Sequence, residues 1–234
     1  MYQVSLLQGL AYGDYYGRVT VEELKQHGDT GIGTFNKLNG ELIMIDGEVY
    51  RAAGDGKVEL VFDDTVPFSV VTYIDADVTK SFKEISDYDA LCEELEKIIE
   101  ENGKNSFYMV RIDGMFNEMN LRSVYAQEEP YERLAKVLET DQTFFNYKNI
   151  EGTMVGLYCP PYMSSLNAVG WHFHFISKDK TKGGHVLAVN IADANLTCDV
   201  TYEFHLKLPK HKMFADFDLT VDQSEDIEKI EKNK

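Results

Sequence analysis

Three turn dipeptides between residues 39 and 56 constrain this chain more than any other feature: Asn39-Gly40, Asp46-Gly47 and Asp55-Gly56. Asn-Gly and Asp-Gly favour tight hairpin turns because both central residues tolerate positive φ. The runs around them alternate or are apolar, which predicts a β-meander: Thr34 to Leu38, Glu41 to Ile45, Glu48 to Ala52 and Lys57 to Phe62, with Pro67 to Ile74 joining the same sheet. A chain of 234 residues with 44% hydrophobic content can bury a sizeable core around such a sheet.

The rest of the chain reads as β-rich with a few helices. Residues 1–17 suggest a short strand and a loop. Thr20 with Glu23 forms a capping box for a short helix, which Gly28 would end. Tyr88 to Glu101 carries an apolar stripe (Tyr88, Leu91, Cys92, Leu95, Ile98, Ile99) at helical spacing, capped by Ser86 or Asp87 and ended by Asn102-Gly103. Ser106 to Ile112 and Met119 to Tyr125 read as two strands around Asp113-Gly114, and Tyr131 to Glu139 as a short helix. Further strands are predicted at Thr153 to Tyr158, Gly170 to Ile176, His185 to Ile191 and Leu196 to Leu208, then a charged helix from Gln223 to Lys232. The fold class is therefore α/β of the α+β type, with two β-rich layers of mixed or antiparallel sheet, flanking helices, and a site between the layers. The helical segment in 126–150 divides the chain into 1–125, a meander and helix subdomain, and 126–234, a β-rich subdomain with the terminal helix.

A net charge of −17 leaves no basic patch for a nucleic-acid backbone or an anionic membrane surface. Three widely spaced cysteines without a Cys-x-x-Cys motif fit reduced thiols in a cytoplasmic protein. No leader-like start and no membrane-length apolar run is visible.

The chemistry concentrates in Gly170-Trp171-His172-Phe173-His174-Phe175 and Gly183-Gly184-His185. Residues two apart on a strand share a face, so His172 and His174 lie side by side while Trp171, Phe173 and Phe175 face away. A hairpin through the polar 177–184 segment returns His185 beside them, with Gly183 and Gly184 giving room for close backbone approach. A single histidine on an apolar strand is ordinarily a packing residue; here three of the six histidines fall within 172–185. Three converging imidazoles suit a zinc-like ion, and three protein ligands leave a position open, as in catalytic rather than structural sites. His27, His205 and His211 have no partner at ligand spacing. Glu41 shares a strand face with Ile43 and Ile45, and Arg122 alternates with Asn120 and Val124. Both could be ordinary surface charges, or a carboxylate and a fixed cation at an apolar pocket. Cys159 lacks an adjacent base, and there is neither a Gly-rich phosphate loop nor a Gly-x-Ser-x-Gly elbow.

Together three motifs resemble those of the bacterial α-acetolactate decarboxylases: Gly31 to Ile43, Arg111-Ile112-Asp113-Gly114 with Leu121-Arg122-Ser123-Val124, and Gly170 to Phe175 with Gly183 to Leu187. The resemblance covers nearly the whole chain and implies that His172, His174 and His185 ligate Zn2+. By the same resemblance Glu41, Arg122 and Glu231 are active-site residues, with Thr34 in the pocket. Tyr125 departs from the pattern, which places a small residue or proline there. The implied reaction is decarboxylation of 2-hydroxy-2-methyl-3-oxobutanoate to acetoin through a metal-stabilised enediolate, without an organic cofactor. The implied assembly is a homodimer whose only other partner is the small-molecule substrate. Rival readings are another metal-assisted hydrolase or oxygenase on a β scaffold, and a binding module with a structural metal.

Overall fold

The Asp46-Gly47 turn takes the conformation its sequence asks for, with φ of 53° at Asp46 and 74° at Gly47. The structure, a computed structural model, describes residues 1–221 and Ile227. The order begins β1 (Tyr2–Val4), α1 (Leu7–Ala11), β2 (Val19–Thr20), α2 (Val21–Leu24), β3 (Thr30–Thr34), β4 (Glu41–Ile45) and β5 (Glu48–Ala52). It continues through β6 (Val58–Leu60), β7 (Thr65–Val66), β8 (Phe68–Thr72), β9 (Val78–Ile85), α3 (Tyr88–Asn102) and β10 (Phe107–Val124). It closes with α4 (Leu134–Thr140), β11 (Gln142–Cys159), β12 (Gly170–Ser177), β13 (Gly183–Thr201), β14 (His205–Lys207) and α5 (Lys212–Asp216).

Two sheets carry the fold, and a small third sheet pairs β2 with β7. The first runs β14-β1-β8-β3-β4-β5-β6; its pairs are antiparallel except β1 with β14. In the second, β10 pairs with both β11 and β13, and β12 also pairs with both, so these four strands close on themselves; β9 adds to β13. Closure removes the unpaired edges that invite association. Side-chain alternation then fixes three apolar layers. Leu42 and Met44 of β4 face one side, with Leu24 and Phe35. Ile43 and Ile45 face the other, against Val155, Leu157 and Ile176 of the second sheet. Phe173 and Phe175 fill the closed strands, beneath Leu91 and Leu95 of α3.

The α+β class and two-layer arrangement are as predicted. So is α3: Asp87 caps it through Ala90 N–H at 2.8 Å, and Gly103 ends it with φ of 121°. In α2, Thr20 accepts from Glu23 N–H as the capping box requires.

Other elements differ from the sequence expectation. Residues Leu7–Ala11 are helical rather than a strand and loop; five buried residues around Gly9 are too few to show a period. Strand β3 ends at Thr34, and Asn36–Leu38 forms a 3-10 turn with Lys37 and Leu38 at positive φ, so the β3–β4 connection is a longer loop than an Asn-Gly hairpin. At Asp55-Gly56 only Gly56 has positive φ. No break occurs at Asp113-Gly114: β10 is continuous, and a Cβ on Gly114 would lie 2.3 Å from the Asp193 carbonyl, so this glycine permits strand approach rather than a turn. β11 starts earlier than predicted, because its polar half outside the core keeps strand pairing, and β13 joins two predicted strands through 192–195 before ending at Thr201. β9 was not predicted, since Phe82 is its one fully buried side chain and the rest is polar edge. The chain passes from the first sheet to the second between β8 and β9: β9 to β13 form the second sheet, and β14 returns to the first. The expected helix from Gln223 to Lys232 lies outside the described residues apart from Ile227.

Candidate active site

Strand register assembles the site. His174 stands opposite His185 across β12–β13. His185 stands opposite Arg122 across β13–β10. On the other sheet, Glu41 stands opposite Thr34 across β4–β3, and Thr34 opposite Phe68 across β3–β8. The two sheets meet at these residues. His174 Nδ1 lies 2.8 Å from the Leu42 carbonyl, and His174 Nε2 lies 3.5 Å from Glu41 Oε2. All sit in the interior: His174 is 1% exposed, Arg122 4% and Glu41 8%.

The imidazoles converge on one point. His172 Nε2 is 3.1 Å from His174 Nε2 and 3.0 Å from His185 Nδ1, and one nitrogen from each ring falls within 4.8 Å of the others. A carbonyl only accepts, so Nδ1 of His174 carries the proton and donates it to Leu42; in the neutral ring Nε2 then presents its lone pair to the cluster. Burial, and next the Arg122 guanidinium, hold the His172 pKa down to about 3. Burial, followed by the nearness of His172, also lowers His174 well below the usual histidine range, against the raising effect of the Leu42 bond. Neutral rings with aimed lone pairs are what a metal ion needs. Tetrahedral coordination at zinc distances spaces ligand nitrogens by about 3.3 Å, close to the two short contacts. The donor set therefore fits a zinc-like ion, with the Leu42 carbonyl orienting one ligand from behind.

A small cavity of about 40 Å3 opens beside the histidines. Its polar lining is Thr34, Glu41, Arg122 and the three histidines; its apolar lining is Leu7, Leu10, Leu38, Phe68, Val124, Leu134 and Leu138. Six of the seven site residues read from the sequence thus share one cavity; the seventh, Glu231, lies outside the described residues. Tyr125 does not line the cavity. It is 44% exposed, and its ring packs where Gly54 leaves room. His27 stacks on Tyr2, His205 lies 3.8 Å from Glu203, and His211 caps α5, all apart from the cluster. Cys159 is buried with its thiol pushed up to about 12, a protonated packing residue.

Three contacts go beyond what the sequence shows. The Thr34 hydroxyl donates to the Gly40 carbonyl at 2.7 Å, fastening the loop that delivers Glu41. Ser123, next to Arg122, donates at 2.6 Å to the carbonyl of Ala52, the register partner of Glu41. The Ser123 bond therefore ties the strand carrying the cation to the strand beside the carboxylate. Gly184 has φ of 153°, and a Cβ there would lie 2.6 Å from the Arg122 carbonyl. The leucines of α1 and α4 are visible as apolar residues in the sequence, yet nothing there says which cavity they meet.

The two sheets and the buried histidine centre between them define an enzyme site that could hold a metal ion, with one carboxylate and one guanidinium facing an apolar wall. The family model described as alpha-acetolactate decarboxylase matches residues 1–221. An alpha-acetolactate decarboxylase of Methanosarcina mazei is 39% identical over 235 residues, spanning 99% of this chain and 80% of that relative. One from Brevibacillus brevis is 38% identical over 94% of this chain and 76% of the relative. The crystal structure of alpha-acetolactate decarboxylase from Bacillus subtilis strain 168 superposes with a TM-score of 0.94 at 36% identity, covering 98% of each chain. This chain belongs to the alpha-acetolactate decarboxylase family.

Proposed function

We propose that this protein converts 2-hydroxy-2-methyl-3-oxobutanoate to acetoin and CO2 at a zinc ion held by His172, His174 and His185. The observation that carries the reading is the convergence of three buried imidazoles beside Arg122 and Glu41 in one cavity. Zinc bound there supplies Lewis-acid stabilisation of the negative charge that develops as CO2 leaves.

In the reaction the C1–C2 bond breaks and its electron pair moves into a C2–C3 double bond, leaving an enediolate that takes one proton at C2. Arg122 cannot lose its charge, so it serves as a fixed cation that orients the carboxylate and offsets charge on oxygen. Glu41 is placed to position water or substrate and to move the proton. The leucine side of the cavity excludes water, which favours departure of a carboxylate that has lost its solvation. A role for Glu231 as a second proton-handling carboxylate rests on the family resemblance alone. So does the homodimer, while the cytoplasmic setting rests on the cysteine pattern; among the described residues no helix is long and apolar enough to cross a membrane.

The test is acetoin formation from racemic acetolactate by purified protein, with metal content read on the same sample. Activity lost on chelation and restored by zinc supports the reading. A folded, zinc-loaded protein that forms no acetoin refutes the substrate, and full activity without bound metal refutes the zinc.

A further inference from the structure

We propose that Leu134 and Leu138, on α4, limit the length of the alkyl groups that the decarboxylation site accepts. The inference rests on the reaction proposed above and extends it to specificity. Acetolactate offers its carboxylate, hydroxyl and ketone oxygens to the ionic side of the cavity. Its two methyl groups then have only the apolar side to meet.

That side is built from two kinds of wall. Phe68 and Val124 sit within strands and are pinned by their neighbours: Phe68 is paired with Thr34, and Val124 with Gln142. Leu7 and Leu10 come from α1, whose backbone is fastened by Leu7 N–H to the Leu166 carbonyl and whose Gly9 lies against Phe214. Leu134 and Leu138 instead lie one helical turn apart on α4, on the same face. The opposite face of α4, with Lys136 and Glu139, is exposed. These two side chains therefore stand between the cavity and the outer surface of a seven-residue helix, and shortening either adds room without cutting a strand. Val137 is buried on the same helix but does not line the cavity, so it separates a loosened helix from an enlarged pocket.

The experiment compares kcat/KM for acetolactate with that for 2-ethyl-2-hydroxy-3-oxobutanoate and for 2-hydroxy-2-methyl-3-oxopentanoate. The variants are Leu138→Ala, Leu138→Val, Leu134→Ala and Val137→Ala, each checked for cooperative melting and zinc content. One methylene in an apolar pocket changes selectivity by about 10–200-fold. A rise of about tenfold or more in at least one long-to-short ratio is expected for the Leu variants, smaller for Leu138→Val, with no change for Val137→Ala. Ratios that stay at the wild-type value while acetolactate is still turned over overturn the assignment to α4. An equal rise in Val137→Ala overturns it too, because helix loosening then explains the effect. Failure of the wild type to form acetoin overturns the parent reaction, and this inference with it.

Discussion

Replacing His174 by Ala should remove a metal ligand and a tie between the two sheets at once, and the two losses can be measured separately. The ring reaches from β12 to the Leu42 carbonyl of β4 at 2.8 Å, and the side chain is fully enclosed. Truncation leaves that carbonyl buried without its donor, a loss of about 1–3 kcal/mol. Against a domain stability of about 5–15 kcal/mol, the variant should remain folded. At about 2–4 °C per kcal/mol for a chain of this size, the metal-free variant should melt roughly 2–12 °C below the metal-free wild type. Zinc at a hundredfold excess over its Kd should stabilise the wild type by about 2.7 kcal/mol, roughly 5–11 °C. The variant should show little of that rise and no acetoin formation. Scanning calorimetry with and without chelator, paired with metal analysis and a turnover assay, reads all three. Turnover at wild-type metal content would refute the ligand assignment, and an unchanged metal-free melting temperature would refute the inter-sheet bond as a source of stability.

Arg122→Lys should bind zinc normally yet lower kcat by about a hundredfold, because an ammonium cannot reproduce the planar donor fork; a wild-type rate removes Arg122 from the mechanism. Thr34→Val should lower kcat/KM by loosening the Gly40 contact behind Glu41, and Thr34→Ser should restore it, whereas equal activity in both denies the hydroxyl a role. Folding of the metal-free protein should weaken in acid. His172, held down to about 3, and His174, also lowered, stay neutral when folded, while unfolded histidine titrates near 6.5. Their contribution is present above pH 6.5 and is lost as pH falls from there towards 3, by up to about 1.4 kcal/mol per histidine per pH unit. Urea unfolding of chelated protein at pH 7 and 5 should show the drop, smaller in His172→Asn; equal drops in the two proteins contradict it.

Local chemistry was legible wherever a short range decides the outcome. The caps at Thr20 and Asp87 and the I′ turn at Asp46-Gly47 each depend on a few neighbouring residues, and each formed as the sequence indicates. Glycine was misread where its use is long-range: Gly114 looks like a turn residue, yet its missing side chain admits the backbone of β13, more than seventy positions later. The polar first half of β11 and the short middle of β10 hid their strand character because pairing, not burial, holds them.

The pairing of His172 with His174 was likewise written in the sequence by the two-residue period of a strand, and the glycines before His185 prepared its return. Sequence alone could set which histidines share a face, and the family motifs could say which acid and which base belong with them. It could not bring Glu41 within 3.5 Å of His174, set the Leu42 carbonyl behind the ring, or lay the leucines of α1 and α4 over the cavity. The first two contacts join residues more than a hundred positions apart, and only the stacking of two separately formed sheets brings them together. Burial in that interface is also what keeps His172 and His174 neutral, so the electrostatic state of the site belongs to the tertiary structure even though its ligands were readable from the chain.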